Sequence, residues 1–162
     1  EIGTQIEELV KYIRPQKRFQ QVLIDFARPK KDCLIETDQQ LFQQLMYNIL
    51  NNAADACREQ PNPRIGISLT ENTAGKTCVI SITDNGCGVD TSLLSANFDR
   101  KYTSKNDGHG FGLRICKQIM DSHKGTFTLD SAPGAGATVT LTFPLPAAAF
   151  ADAPQSTFAS TR

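Results

Sequence analysis

The sequence has no apolar run that approaches the roughly 18 residues needed to span a bilayer, and no charged-then-apolar signal segment opens it. The first residue is Glu1 rather than Met, so we expect the chain to be a piece of a longer protein. It also has no net charge, because 17 Lys and Arg balance 17 Asp and Glu. Nonspecific binding to nucleic acid needs excess positive charge and is not expected. No membrane contact is expected for this part of the protein either.

Cysteine is present, but its pattern does not predict a zinc site or a disulfide framework. The five cysteines are odd in number and never stand as Cys-x-x-Cys. A reducing cytoplasm is the simpler environment for such a chain. With 162 residues, 40% hydrophobic and 21% charged, the composition is that of about one ordinary globular domain.

Apolar residues that recur every three to four positions predict three helices, at 4–13, 38–58 and 110–123. The central helix has the strongest pattern, with Asp38 as its N-cap and Pro61 beyond its end. Alternating apolar residues predict strands at 19–26, 33–36, 64–70, 78–83, 126–129 and 137–143. Two pairs of these strands are predicted hairpins, one turning around Gly75 and the other around 133–136.

The segment 84–109 is too long for a passive connection, so it is predicted to be a functional loop or lid with a helical turn near Leu93. The Ala-, Pro-, Ser- and Thr-rich end at 145–162 is predicted to be a disordered tail. The chain then divides into an N-terminal helix and linker at 1–18, one domain at 19–144, and the tail. This order of helices and hairpins predicts an α/β sandwich, with one mixed sheet covered on one face by about three helices.

The central helix carries polar residues that a helix interior disfavours. Asn48 and Asn52 are four positions apart, so both amides project from one face, and Asp55 lies near the same edge. An amide oxygen can bind a hard cation such as Mg²⁺ while a second amide contacts phosphate. A polar surface stripe explains the same pattern equally well, so this helix alone leaves both interpretations open.

Three glycine-bearing segments follow. Asp84 ends a predicted strand before Gly86 and Gly88, where a carboxylate can accept a hydrogen bond from an exocyclic amine such as that of adenine. A plain Asn-Gly turn is the simpler interpretation of that segment alone. Gly108, Gly110 and Gly112 stand directly before a predicted helix, where backbone N–H groups form an anion site. The segment 134–138, Gly-Ala-Gly-Ala-Thr, is a hairpin turn when taken alone.

The order of these four segments is more specific than any one of them. An Asn-bearing helix, a strand that ends in Asp-x-Gly-x-Gly, a long lid, a Gly-x-Gly-x-Gly helix start and Gly-x-Gly-x-Thr together resemble the ATP-binding catalytic domain of sensor histidine kinases. That domain belongs to the wider superfamily of gyrase, heat-shock chaperone and mismatch-repair ATPases, with the Bergerat-type ATP-binding fold. The resemblance covers about residues 20 to 144.

The resemblance implies a role for each of these residues toward ATP and Mg²⁺. Asn52 is the implied Mg²⁺ ligand, while Asn48 lies near the phosphates and shares the catalytic role with Lys105. Asp84 is the implied adenine-reading residue, and Thr138 supports that contact through Asp84. The further implied nucleotide contacts are Asp55, Gly86, Gly88, Thr103, Ser104, Gly108, His109, Gly110, Phe111, Gly112 and Leu113.

Hydrolases of the superfamily carry a Glu at the position of Asn48, where it activates water. An amide cannot take that proton, so the resemblance implies phosphoryl transfer to an external nucleophile. In the resembling family this acceptor is a His on a separate helical dimerisation domain. His109 lies in the glycine loop and His123 at a helix end, so the acceptor is expected outside this sequence.

Two other functions stay open: a Ser/Thr kinase of the anti-sigma type with the same fold, and a nucleotide-binding module without turnover. The second stays open because the usual family motif Phe-x-Pro-Phe is altered here. The corresponding segment, Phe98-Asp99-Arg100-Lys101, lacks the Pro and the second Phe. Tyr102 is the aromatic residue that could take the place of the second Phe. The implied partners are the protein's own histidine-bearing dimerisation domain and the receiver domain of a response regulator. The isolated chain is expected to be a monomer in the cytoplasm, or in the cytoplasmic part of a membrane-bound sensor.

Overall fold

The structure, a computed structural model, describes residues 1–90 and 112–147 and contains three helices in those ranges. They are α1 (Ile2–Ile13), α2 (Gln39–Ala56) and α3 (Gly112–Ser122), and they confirm the three predicted helices. α2 begins where predicted, because the Asp38 carboxylate accepts hydrogen bonds from the N–H groups of Gln40 and Leu41. The predicted helical turn near Leu93 lies outside the described residues.

Five strands form one mixed sheet: β1 (Leu23–Ala27), β2 (Arg64–Asn72), β3 (Thr77–Asp84), β4 (Thr126–Ser131) and β5 (Ala137–Pro144). Their order across the sheet is β1-β2-β3-β5-β4. β1 pairs with β2 in parallel, and every other pair is antiparallel. The two predicted hairpins, β2–β3 and β4–β5, are confirmed, as is the mixed sheet.

The core lies between one face of the sheet and the three helices. Alternate strand residues point into it, among them Ile24, Ile65, Ile80 and Leu141, each less than 4% exposed. α2 meets them with a buried stripe that includes Phe42 and Leu45. The opposite face of β3 and β5 carries mainly threonine and serine, and those side chains are half-buried or exposed. The expected sandwich, covered by helices on one face, is therefore the observed fold.

The prediction of a strand at 33–36 is wrong. The backbone in this region instead forms hydrogen bonds with the first N–H groups of α1. The Cys33 carbonyl accepts a hydrogen bond from the Ile2 N–H at 3.0 Å. The Asp32 carboxylate accepts further bonds from the N–H groups of Gly3 (2.7 Å) and Thr4 (3.2 Å). A helix start leaves its first N–H groups without intrahelical partners, and here a loop about 30 residues further on satisfies them.

The structure also moves two other predicted boundaries. The strand predicted at 19–26 shortens to β1, because Phe19 is buried in a turn in which Val22 N–H donates to the Phe19 carbonyl. Leu145, placed in the tail by the sequence, is 8% exposed and donates its N–H to the Lys76 carbonyl at 2.9 Å. The packed core therefore runs past the predicted domain end at 144. At the other end it includes α1, through residues such as Ile6 and Ile13.

Candidate functional site

Asp84 is a buried carboxylate at the end of β3, on the face of the sheet that the helices cover. The residue is 9% exposed, and its Oδ1 accepts a hydrogen bond from the Gly86 N–H at 2.8 Å. Burial raises the pKa of Asp84, and hydrogen bonds from the N–H groups of Gly86 and Ala137 partly oppose that rise. Such a carboxylate can accept a hydrogen bond from a ligand amine, as the sequence predicts.

The two glycines after Asp84 stand where backbone segments come into close contact. A Cβ on Gly86 would lie 2.7 Å from atoms of Ala56, at the end of α2. Gly88 has a φ of 64°, and a Cβ there would overlap the Ala132 carbonyl. The Asp-x-Gly-x-Gly segment is therefore wedged between α2 and the β4–β5 turn, which explains its glycines by packing whether or not a nucleotide lies against it.

The glycine turn between β4 and β5 holds the segment that follows Asp84. Gly134 N–H donates to the Cys87 carbonyl at 2.7 Å. The Ser131 hydroxyl accepts a bond from the Val89 N–H at 2.9 Å and donates to the Gly136 carbonyl at 2.7 Å. Besides reversing the chain, this turn therefore fixes the loop after Asp84 in place. The sequence pattern does not predict that Ser131 takes part in this contact.

Asn48 and Asn52 both face the beginning of α3. Burial raises the pKa of the Cys116 thiol, and the Asn48 side chain lies close enough to that thiol to lower its pKa in part. The thiol lies one turn into α3 and donates to the Leu45 carbonyl at 3.8 Å. Asn52 is exposed, and its Nδ2 would lie 3.6 Å from a Cβ on Gly112. The structure therefore brings the two predicted amides to the first turn of α3, a position where N–H groups favour anions.

Asp55 forms ion pairs with two arginines. Its Oδ2 lies 3.1 Å from Arg18 Nη1, and its Oδ1 lies 3.1 Å from Arg58 Nη2. Each carboxylate oxygen is thus paired with an arginine, which gives Asp55 a structural role, and its nucleotide contact stays a prediction.

Thr138 is not placed as the sequence predicts. It is expected to support Asp84, but it lies on the opposite face of the sheet. In the β3–β5 register Thr138 is paired with Thr83, and the two hydroxyl oxygens are 3.0 Å apart. Ala137 is the residue paired with Asp84. Neighbouring strand residues point to opposite faces, so the predicted support of Asp84 by the Thr138 hydroxyl is wrong.

Seven predicted site residues lie outside the described residues: Thr103, Ser104, Lys105, Gly108, His109, Gly110 and Phe111. Gly112 begins α3, and Leu113 follows in its first turn, half-buried. His123 forms local contacts at the end of α3. Its Nδ1 bonds the Ile119 carbonyl at 2.7 Å, and its Nε2 meets the Thr37 hydroxyl at 2.9 Å.

Residues 37–147 match the model of the family described as histidine kinase-, DNA gyrase B-, and HSP90-like ATPases. The chain belongs to this family. The match spans α2, the sheet from β2 onward and α3, and so includes every site residue that the sequence predicts. It confirms the resemblance seen in the order of the four sequence motifs.

Relatives of this ATPase domain are named as sensor kinases. The chain is 40% identical over 111 residues to the signal transduction histidine-protein kinase AtoS of Escherichia coli, an alignment covering 68% of this chain and 18% of AtoS. It is 33% identical over 129 residues to the sensor histidine kinase WalK of Bacillus subtilis, covering 75% and 21%. The chain thus spans only about a fifth of the length of these relatives.

A solved structure shares the fold of this ATPase domain. The catalytic domain of histidine kinase ThkA superposes with a TM-score of 0.74 at 23% identity, covering 88% of this chain and 91% of that one. Across residues 1–90 and 112–147, the helices of the domain are all too short or too polar to cross a membrane.

Proposed function

We propose that this chain is the ATP-binding catalytic domain of a sensor histidine kinase. It binds Mg-ATP and transfers the γ-phosphoryl group to a His on a separate dimerisation domain, for relay to a response regulator. The observation that carries the proposal is that a single helix, α2, connects both halves of the site. Asn48 and Asn52 face the start of α3, while Ala56 packs on Gly86 beside Asp84.

This arrangement orients a nucleotide along α2. The Asp84 carboxylate would accept a hydrogen bond from the adenine amino group at the Gly86 end. At 1.5 Å per residue, Asn52 and Asn48 stand about 6 and 12 Å back along the helix axis from Ala56. The phosphates would then lie near the start of α3, where N–H groups and the helix dipole favour negative charge. Lys105 is proposed to add a positive charge there.

The residues present suit a magnesium ion that is shared with the phosphates. In residues 1–90 and 112–147 no cluster of three His, Cys, Asp or Glu could hold a metal. Mg²⁺ is commonly held by one or two protein oxygens together with phosphate oxygens and water. The exposed amide of Asn52 can supply such an oxygen beside α3. Bound there, the ion would neutralise charge on the transferring phosphoryl group.

Asn48 favours transfer to a second molecule over hydrolysis. Its amide has no basic atom that could take a proton from an attacking water. In the proposed reaction an imidazole nitrogen of the acceptor His forms a bond to the γ-phosphorus, while the bond from phosphorus to the bridging oxygen breaks and ADP leaves. The role left to Asn48 and the α3 N-terminus is to position the triphosphate and stabilise its charge.

The proposed partners follow from the names of the relatives. AtoS and WalK are named as histidine kinases, so we propose that this chain works with a histidine-bearing dimerisation domain and a receiver domain. These partners, and a location in the cytoplasm or in the cytoplasmic part of a membrane-bound sensor, are proposals. Neither of these two relatives is named as a Ser/Thr kinase, so their names do not support that alternative.

The first test is calorimetry of the 162-residue chain with ATP and GTP, with and without Mg²⁺. Wild type is expected to bind ATP in preference to GTP and to bind it more tightly with Mg²⁺. Asp84→Asn should lose ATP binding, and Asn52→Ala should lose the Mg²⁺ dependence. An absence of ATP binding at millimolar concentration would contradict the proposal.

The second test is transfer from γ-labelled ATP to a separately expressed histidine-bearing hairpin of a sensor kinase, with its His→Gln variant as control. Phosphohistidine is labile in acid and stable in base, whereas phosphoserine and phosphothreonine behave in the opposite way. An acid-labile product that depends on the acceptor His supports the histidine kinase. An acid-stable product would favour the Ser/Thr kinase, and binding without transfer would favour a nucleotide-binding module.

A further inference from the structure

Asn85 joins three segments of the chain through its side chain. Its Oδ1 accepts hydrogen bonds from the Arg64 N–H at 2.8 Å and from the Cys57 thiol at 3.4 Å. Its Nδ2 donates to the Asn62 carbonyl at 2.8 Å. An amide is the side chain that can accept at one atom and donate at the next, as this junction requires.

The three segments are the end of α2, the start of β2 and the loop that follows Asp84. Cys57 is the C-cap of α2, and Arg64 is the first residue of β2. The backbone of Asn85 adds to the junction, since its N–H donates to the Arg64 carbonyl at 3.3 Å. Cys87 N–H donates to the Ala56 carbonyl at 3.0 Å, so the loop also touches α2 on the other side of Gly86.

This junction lies between the two halves of the proposed nucleotide site. On one side Asn85 is covalently next to Asp84, whose Oδ1 is fixed by the Gly86 N–H. On the other side it holds the end of α2, the helix that carries Asn48 and Asn52. A shift of α2 relative to the loop would change the distance between the carboxylate and the two amides without changing either half.

We infer that Asn85 is a positioning residue that sets the spacing between the adenine contact at Asp84 and the phosphate contacts on α2. This inference rests on the proposed function and adds a specific residue to it. Asn85 would not touch the nucleotide. Its contribution is preorganisation, so it matters most for a ligand that must contact both halves of the site together.

The test compares adenosine, which reaches only the Asp84 half, with Mg-ATP, which reaches both halves. Asn85→Ala is expected to weaken Mg-ATP binding about tenfold and adenosine binding by less than about twofold. A loss of about tenfold corresponds to the free energy of about one or two hydrogen bonds. Titrations followed by NMR shifts give both constants on the full 162-residue chain. Asp84→Asn is the reference for a variant that loses both ligands.

Asn72→Ala is the matched control, because Asn72 closes the β2–β3 turn at the far end of the same two strands. Its Oδ1 accepts a hydrogen bond from the Gly75 N–H at 2.9 Å. The control should lower stability without changing the affinity for either ligand. Cys57→Ala removes one of the Asn85 bonds and serves where Asn85→Ala fails to fold. It should shift Mg-ATP affinity in the same direction by a smaller factor.

The possible outcomes separate this inference from the proposed function. Selective weakening of Mg-ATP in Asn85→Ala, with Asn72→Ala like wild type, supports the positioning role. Wild-type affinity for both ligands, or an equal loss of both, overturns the positioning role and leaves the proposed function standing. If the wild-type chain binds neither ligand, the proposed function fails and this inference fails with it.

Discussion

Asp84 and Ala137 lie opposite each other in the β3–β5 ladder, on the face of the sheet that the helices cover. Burial raises the pKa of the Asp84 carboxyl and the Ala137 N–H helps to lower it, but the alanine side chain gives that carboxylate no hydroxyl partner. Thr138, which follows Ala137 in sequence, pairs with Thr83 on the other face. The carboxylate therefore depends on backbone N–H groups, and its neighbourhood in the ladder is less polar than the sequence suggests.

Thr138→Val should leave nucleotide affinity unchanged, within about twofold. The Thr138 hydroxyl bonds with Thr83 on the open face of the sheet, away from Asp84, and valine keeps the shape and the β-branching. Stability should change by about 1 kcal/mol or less, the usual value of an exposed hydrogen bond. Calorimetry with Mg-ATP and urea unfolding measure the two quantities. A large loss of affinity with normal stability would return Thr138 to the site.

The pKa shift of Asp84 predicts how stability depends on pH. Burial raises this pKa above its ordinary value of 3.8, so between the two values the folded state holds the proton more often than the unfolded state does. Stability from this group therefore falls as pH rises through that window. Asp84→Asn removes the buried charge and keeps an oxygen for the Gly86 N–H, so we expect it to be more stable than wild type at pH 7.

Urea unfolding of wild type and Asp84→Asn from pH 4 to 7 checks this expectation. The advantage of the variant should shrink toward pH 4, where the wild-type carboxyl is increasingly protonated in both states. Nucleotide binding should be lost in the variant at every pH. A variant that is less stable than wild type at pH 7 would show that the N–H bonds to the carboxylate outweigh its burial.

Asp32 gives the opposite pH dependence. Burial alone would raise the pKa of Asp32, but N–H bonds from Gly3, Thr4 and Cys33 and the charge of Arg28 bring it below 3.8. Its stabilisation is then present above pH 3.8 and is lost as pH falls through the lowered pKa. Asp32→Ala should cost about 1–2 kcal/mol at pH 7, the cost of removing a helix cap.

The measurement is again urea unfolding, at pH 7 and below pH 4. Wild type and Asp32→Ala should converge as the pH is lowered, while Asp130→Ala, an exposed carboxylate on β4, should track wild type at both values. A constant gap at all pH values would mean that Asp32 acts through packing against Gly3 rather than through its charge.

Much of the fold could be predicted because it rests on local patterns. The stripe of α2 and its Asp38 cap, and the alternation in the strands that flank Gly75, are set by neighbours within a few residues. The strand prediction at 33–36 is wrong because the Cys33 carbonyl accepts a hydrogen bond from α1, about 30 positions away in sequence. No periodicity in the segment itself reports such a distant partner.

In the candidate site, too, local features could be predicted from the sequence and tertiary contacts could not. The order of the motifs predicts the family, and helical spacing predicts that Asn48 and Asn52 share one face of α2, whereas their proximity to α3 is a result of tertiary packing. Which of Ala137 and Thr138 faces Asp84 depends on strand register, and a shift of one residue exchanges the two faces of a strand. The engagement of Asp55 by Arg18 also could not be read from the sequence, because the two residues meet only through tertiary packing.

The five cysteines should divide into one reactive and four protected thiols. Cys87 is exposed in the loop after Asp84, whereas Cys33, Cys57, Cys78 and Cys116 are buried. Burial also raises the pKa of each buried thiol, that of Cys116 to about 12, and the thiolate is the reactive form. A chromogenic disulfide reagent should therefore titrate one thiol quickly in the native chain and the other four on unfolding. Cys87→Ser should abolish the fast phase, and a fast phase that survives in this variant would place one of the other thiols at the surface.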